Sequence, residues 1–331
     1  MLNRRLFATG LAAGALAAPG LSRAQKSDMR RTLDPNVAMP PAGKRPWAQQ
    51  VPQLRVGLLG GENEADRLGR FDGYRKLLEE TFGVPMRLFA ASDYAGVLQA
   101  YSAKQIEMAS LGASGYAGAW LDTGGGIEPI VVPEEADGSV SYVSVMVVRA
   151  DSGITSFEQM RGRSLAWADA NSASGYLIPR SELRAANIDI NSYFSRTGFG
   201  GGHEQAVVAV LQRQYDAAVT WASGQGEEAQ GFTRGNLRAM VEKGMLNMRD
   251  LRIIWRSRPI LNGPFTVRRD LPQAWKDDMT QFHLALASAH PQIYAQIERG
   301  GGQGYARVTH EMFEPIVQLR REEAAERRRR S

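Results

Sequence analysis

The chain has 331 residues, 43% of them hydrophobic, enough for two packed domains of ordinary size. It contains no cysteine, which excludes disulfides, thiolate nucleophiles and thiolate metal sites, and its four histidines, at 203, 283, 290 and 310, lack zinc-ligand spacing. The net charge of +5 owes much to Arg4, Arg5 and Arg23, and what remains is too small, and too poor in interleaved aromatic and basic residues, for a nucleic-acid binder.

The N-terminus has the order of an export signal: the twin-arginine pair in Asn3-Arg4-Arg5-Leu6-Phe7, a short apolar run from Leu11 to Ala18, then Ser22-Arg23-Ala24 with small residues where a signal peptidase cuts. Residues 1–24 are expected to be a cleaved leader that delivers the protein to the periplasm. Residues 25–52, rich in Pro, Arg and Gln without periodicity, are expected to be an extended linker.

From Leu54 the pattern alternates. Leu54 to Leu59 is a buried-type strand, and Leu68, Phe71, Tyr74, Leu77, Leu78 and Phe82 mark a helix that Gly83 ends. Strand Met86–Ala90 follows, then an N-cap at Ser92-Asp93, a helix with Val97, Leu98 and Tyr101 on its apolar face, a strand from Ile106 to Leu111 and a helix after Gly112-Ala113-Ser114-Gly115-Tyr116. Such alternation predicts a mainly parallel sheet with its ligand site at the carboxyl ends of the strands. Ser141 to Val148 reads as a strand leading into a second lobe of the same grammar: strand 164–168, helix from about 174 to 186, helix 203–214, and strands 215–220 and 251–255. Pro259 to Val267 looks like a return crossing, and the last helices pack back on the first lobe. The predicted organisation is therefore lobe 1 from 53–148 plus 258–331 and lobe 2 from 149–257, joined by two crossings that make a hinge.

Three segments place small or hydroxylic residues just before a helix: Ser92-Asp93-Tyr94, Asn171-Ser172-Ala173-Ser174-Gly175 and Gly200-Gly201-Gly202-His203-Glu204. A helix start offers unpaired N–H groups and about half a positive charge, so three of them facing one cleft would hold a dianion with few cationic side chains. Taken singly, each fits a plain N-cap as well as an anion site. Asp93 fits capping best, with Tyr94 as the contacting group, while His203 in a first helical turn is suited to donate to an anion.

Read together, Asp93-Tyr94-Ala95-Gly96, Gly112-Ala113-Ser114-Gly115-Tyr116, Ser141-Tyr142-Val143-Ser144, Asn171-Ser172-Ala173-Ser174-Gly175 and Gly202-His203-Glu204 resemble the phosphonate-binding subunit of bacterial phosphonate/phosphite importers over roughly residues 54–320. The resemblance implies an α/β type II periplasmic-binding fold, two lobes joined by a two-strand hinge. It implies that Ser172, Ser174 and His203 hold phosphonate oxygens, with Tyr94 across the cleft. Ala173 stands where that family has a threonine, so one hydroxyl donor is missing while the backbone N–H remains. Binders of aminoalkylphosphonates resemble this chain but carry acids at the positions of Ser223 and Gly263 and an aromatic at Leu111. The absence of an ammonium partner argues against aminoethylphosphonate and for phosphite, methylphosphonate or phosphate.

The expected ligand-contacting set is Tyr94, Ser114, Tyr116, Tyr142, Ser172, Ala173, Ser174, Gly175, His203 and Trp221, with Trp221 roofing the pocket or packing at the hinge. No metal or cofactor is expected. The expected partners are a small oxyanion and the permease of an ABC transporter, or a membrane histidine kinase if the protein is a sensor, and the chain is expected to be a monomer. An enzyme on the same fold is the contrasting reading: His203 with Ser172 or Ser174 is its candidate pair, for which no third orienting group shows in the sequence. The Glu322 to Arg330 tail reads as a solvated helix end.

Overall fold

The structure, a computed structural model, describes residues 37–60, 63–300 and 302–330. The expected leader at 1–24, its cleavage point near Ala24 and the first part of the expected linker lie outside the described residues.

The described end of that linker is not extended chain but part of the first lobe. Pro46–Gln49 forms a 3-10 turn that buries Trp47 and Ala48. Trp47 packs its ring against Phe82 at 5.7 Å and donates from Nε1 to Asp278 Oδ2 at 2.7 Å. A large aromatic that fills a core gap and satisfies its one polar atom is reason enough for this segment to fold back.

The first lobe begins with β1 (Leu54–Leu58), α1 (Glu64–Phe82), β2 (Met86–Ala90), α2 (Tyr94–Ser102), β3 (Met108–Ser110), α3 (Ala113–Asp122) and β4 (Ile127–Glu134). Asn63 caps α1 by accepting from the Asp66 N–H at 3.1 Å, and Gly83 ends it in the left-handed region at φ 63°. The chain then builds the second lobe from β5 (Ser141–Arg149), β6 (Ser164–Trp167), a π-turn (Ala173–Leu177) running into α4 (Ile178–Ala185), α5 (Ile190–Tyr193), β7 (Arg196–Phe199), α6 (His203–Leu211), β8 (Ala217–Ala222), α7 (Asn236–Glu242), β9 (Leu251–Arg256) and β10 (Ile260–Leu261). It returns with β11 (Phe265–Arg268), α8 (Gln273–Ala289), α9 (Pro291–Ile297), β12 (Gly304–Arg307) and α10 (Glu314–Arg330).

The two sheets have the strand orders β12-β4-β11-β3-β1-β2 and β10-β5-β8-β6-β7, with β9 also on β5. Neither is mainly parallel. β1 is parallel to β2 and β3, and β6 to β7 and β8, but β11 is antiparallel to both β3 and β4, and β5 to β8, β9 and β10. The reason is the double crossing: β4 leaves toward the second lobe and β11 comes back beside it, so the two must run in opposite senses.

The expected boundary at 148/149 falls one strand late. β5 pairs along its length with β8, β9 and β10, so Ser141 to Val148 belongs to the second sheet and the outgoing crossing is 135–140. A strand buried in either sheet has the same β-branched sequence, so composition alone could not choose between them. The return crossing, 262–264, lies inside the expected Pro259–Val267.

Both crossings are fastened at one buried carboxylate. Glu135, at 0% exposure, pairs with Arg234 of the second lobe and accepts from Asn262 Nδ2 of the return crossing at 3.0 Å. Arg234 also pairs with Glu298 of the first lobe at 3.0 Å, while Asn262 Nδ2 reaches Pro133 O at 2.9 Å. At the mouth of the cleft Lys243 of the second lobe pairs with Asp66 of the first at 3.0 Å.

Removing one member of such a buried cluster strands the charges it compensated. Arg234→Leu should therefore lower stability by about 3–5 kcal/mol at pH 7, read by chemical denaturation. The deficit should shrink as acid protonates Glu298, whose pKa burial already raises, and a deficit that is the same at pH 7 and pH 5 would contradict this account.

Candidate functional site

A cavity of about 220 Å³ lies between the lobes, walled by residues of both. From the first lobe come Leu58, Gly60, Tyr94 and Leu111, at or just beyond the carboxyl ends of β1, β2 and β3; from the second come Tyr142, Ser172, Ala173, Ser174, His203 and Trp221. Its position at strand ends follows the general rule for open α/β sheets.

Each side chain is placed by local chemistry. Asp93 caps α2, accepting from the Gly96 N–H at 2.9 Å, and so delivers Tyr94 as the first residue of that helix. Ser172 is the N-cap of the π-turn: its Oγ accepts from the Gly175 N–H at 2.9 Å and lies 3.0 Å from His203 Nε2. The other ring nitrogen, Nδ1, is 3.3 Å from Thr220 Oγ1, so hydroxyls on both sides fix the plane of the imidazole. Ser174 is anchored through its carbonyl, which accepts from Ser144 Oγ at 2.6 Å. Gly200 is needed for the approach to α6, because a Cβ there would sit 2.8 Å from the Ala206 backbone.

Burial sets the protonation of the cluster. It lowers the pKa of His203 from its ordinary 6.5 to about 4, leaving a neutral ring at pH 7. The Tyr94 hydroxyl is pushed up by burial and by the nearby Asp169, against a hydrogen bond with Ser172 that pulls the other way. Tyr142 is raised to about 12 by burial, opposed by a hydrogen bond with Ser174. Both tyrosines are therefore O–H donors at neutral pH. Trp221 forms one wall, with Tyr142 edge-on at 5.6 Å and the Arg234 guanidinium 5.5 Å from its ring centre.

Seven of the ten expected residues thus share the cavity, and three do not. Tyr116 points away, bonding His310 Nδ1 at 2.7 Å and packing on Phe313 at 4.8 Å, so it anchors the C-terminal segment instead. Ser114 is fully buried beneath the wall, its Oγ without a hydrogen-bond partner in the structure. Gly175 does not line this cavity but is required: a Cβ there would lie 2.5 Å from Ala168 Cβ and 3.0 Å from His203 Cε1. The serine loop is also braced from behind, where Arg320 of α10 donates to Asn171 Oδ1 at 2.8 Å and Ala170 O at 3.2 Å.

The expectation of few cationic side chains is overturned, because Arg67, Arg70, Arg234 and Arg299 all line the cavity. A signal for one of them was present. Arg67, Phe71, Tyr74 and Leu78 follow helical spacing, which puts an arginine on the buried stripe of α1. Arg299, just past the end of α9 at φ 55°, and Arg234, in the loop before α7, leave no comparable trace. Among the described residues no group of three or more His, Asp or Glu is arranged to hold a metal ion, and no helix is long and apolar enough to cross a membrane.

A two-lobed α/β protein, crossed twice and with an interlobe cleft walled by hydroxyls, a neutral histidine and arginines, is a type II periplasmic binding protein. The family model described as "ABC transporter, phosphonate, periplasmic substrate-binding protein" matches residues 57–313, and the chain belongs to that family. It is 26% identical over 275 residues to the phosphonates-binding periplasmic protein of Escherichia coli, covering 82% of this chain and 77% of that one. It is 26% identical over 223 residues to the phosphate-import protein PhnD of Mycolicibacterium smegmatis, covering 64% and 65% of the two chains. The solved structure of PhnD1 from Prochlorococcus marinus in complex with methylphosphonate shares the fold, with a TM-score of 0.68 at 17% identity over 82% of this chain and 98% of that one.

The neutral histidines give a pH dependence with a definite sign. His203 and His283 are both lowered to about 4 by burial, so between pH 6.5 and 4 the unfolded chain binds protons that the folded chain refuses, and stability falls as pH falls. Each contributes a loss of about 3 kcal/mol by pH 4. In ligand-free protein, His203→Gln should narrow the difference in unfolding free energy between pH 7 and pH 4 by about that amount; an unchanged difference would show that the ring is not held neutral.

Proposed function

We propose that the protein captures a small phosphorus oxyanion (phosphonate, phosphite or phosphate) in the interlobe cleft and delivers it to the permease of an ABC importer. One observation carries this reading: Tyr94 from one lobe and Ser172, Ser174 and His203 from the other share a single cavity, with Ser172 Oγ 3.0 Å from the imidazole. Hydroxyls and a histidine are donors suited to several oxygens on one centre, and a hydrogen bond to a charged oxygen is worth about 1.5–3 kcal/mol. Tyr142 and Ala173 complete the floor, and Trp221 supplies an apolar wall for a substituent on phosphorus. The relatives named for phosphonates and phosphate, and the solved structure holding methylphosphonate, make the same ligand class the natural choice here.

The role is binding rather than catalysis. His203 is oriented by the Thr220 hydroxyl, not by a carboxylate, and with its pKa near 4 it is a weak general base at neutral pH. The family's place in ABC transport favours a permease over a sensor kinase as the partner. The protein acts as a monomer in the periplasm after removal of its leader.

A thermal-shift panel of methylphosphonate, phosphite, phosphate and sulfate tests the reading. At a ligand concentration 100-fold above Kd, binding stabilises the folded state by about 2.7 kcal/mol, a shift of several degrees. Ser172→Ala and Ser174→Ala should each weaken the binding of whichever phosphorus ligand shifts the wild type by about tenfold or more. If none of the phosphorus oxyanions raises the melting temperature, the reading is wrong.

A further inference from the structure

Thr220 stands behind the cavity wall and reaches the site through a single atom. It lies in β8, fully buried, with Oγ1 3.3 Å from His203 Nδ1, and among the described residues the imidazole is that hydroxyl's one hydrogen-bond partner. The other ring nitrogen, Nε2, is 3.0 Å from Ser172 Oγ, which also accepts from the Gly175 N–H at 2.9 Å. A neutral imidazole has one N–H and one bare nitrogen, so the protons along the line Thr220, His203, Ser172 have two possible directions.

In the first, Nδ1–H donates to Thr220 Oγ1 and Nε2 takes the Ser172 proton. The Thr220 O–H then has no acceptor where solvent does not reach, and a hydrogen bond left unmade there costs the full desolvation of the group. In the second, the Thr220 O–H donates to Nδ1 and Nε2–H donates to Ser172 Oγ. That oxygen, with the Gly175 N–H as well, has both lone pairs filled, so its own proton turns toward the cavity, on the side where it bonds Tyr94. Every polar hydrogen of the chain is satisfied in this arrangement alone.

We propose that Thr220 is a positioning residue that sets this direction: its hydroxyl holds His203 in the Nε2–H tautomer, so that Ser172 meets an entering phosphoryl oxygen as a donor and not as an acceptor. This rests on the phosphorus-oxyanion reading given above. Burial of the ring supports it, because an imidazolium would donate from both nitrogens and leave the Thr220 hydroxyl no tautomer to select. A serine fixed as a donor favours an ionised oxygen and opposes a P–OH group in the same place, so the ligand is held there by an oxygen that carries no proton.

The test pairs Thr220→Val, which keeps the shape and removes the hydroxyl, with Thr220→Ser, which restores it. Nitrogen NMR of the imidazole, assigned by the signals lost in His203→Gln, should show the Nε2–H tautomer in wild type and in Thr220→Ser, with the Nδ1–H form gaining in Thr220→Val. In calorimetric titration with methylphosphonate and phosphate, Thr220→Val should bind about tenfold more weakly than wild type, and Thr220→Ser should recover most of that loss. A packing defect alone lowers the melting temperature without moving the proton between the nitrogens. Wild type in the Nδ1–H form, a Thr220→Val ring still fixed as Nε2–H, or unchanged affinity in that variant overturns this inference while the phosphorus reading stands; if wild type binds no phosphorus oxyanion, both fall.

Discussion

Glu135 is the point on which the two lobes hang. It is fully buried at the outgoing crossing, and its partners come from elsewhere in the chain: Arg234 from the second lobe and Asn262 from the return crossing. A carboxylate in that position is tolerable only while both donors are present, so the crossings cannot drift apart without exposing an unmatched charge. Arg234 extends the constraint to Glu298 in the first lobe and lays its guanidinium over Trp221 at the cavity wall. The geometry of the hinge and of the cleft are thereby set by the same few groups.

The cleft itself divides into two chemistries. On the second-lobe side, apart from Arg234, whose charge is matched by Glu135 and Glu298, the donors are uncharged: hydroxyls of serine and tyrosine, and an imidazole that desolvation keeps neutral. Such donors recognise the shape and oxygen count of a ligand without attracting every anion in solution. On the first-lobe side arginines supply the charge. Attraction over distance then belongs to one lobe and close discrimination to the other, a division suited to a protein whose two halves meet around their ligand.

Much of this was readable from residues, and the failures have physical causes. Strong local signals held: the stripe from Leu68 to Phe82 ended by Gly83, the Asp93 cap, and the hydroxyl-rich run before α4 all form the elements they imply. Tyr94, Ser172 and His203 lie far apart in sequence, and what joined them in advance was their shared place at helix starts and then the family resemblance, not spacing. What local reading could not supply was pairing at a distance. β4 was not recognised at all, and β5 was assigned to the wrong sheet because strand composition reports burial and not partners. Tyr116 and Ser114 were misjudged for a similar reason: both open a helix beside the cleft, yet helical rotation turns one toward His310 and the other beneath the wall. Arg67 escaped notice because a cation on an apolar stripe is read as surface until something shows it enclosed, and Arg234 and Arg299, in loops, leave no pattern to read.

The last helix has a consequence for how the molecule moves. α10 packs on α3 in the first lobe, yet Arg320 holds Asn171 and Glu326 pairs with Arg180 and Arg184 on α4, all three in the second. The chain's final segment is thus a strut spanning the joint, on the outside of the serine loop. Any widening of the gap must either snap these ionic ties or carry the strut along with the moving half. Because the ties are partly in water, dissolved salt weakens them far more than the enclosed Glu135 cluster, so ionic strength loosens the strut while leaving the pivot intact.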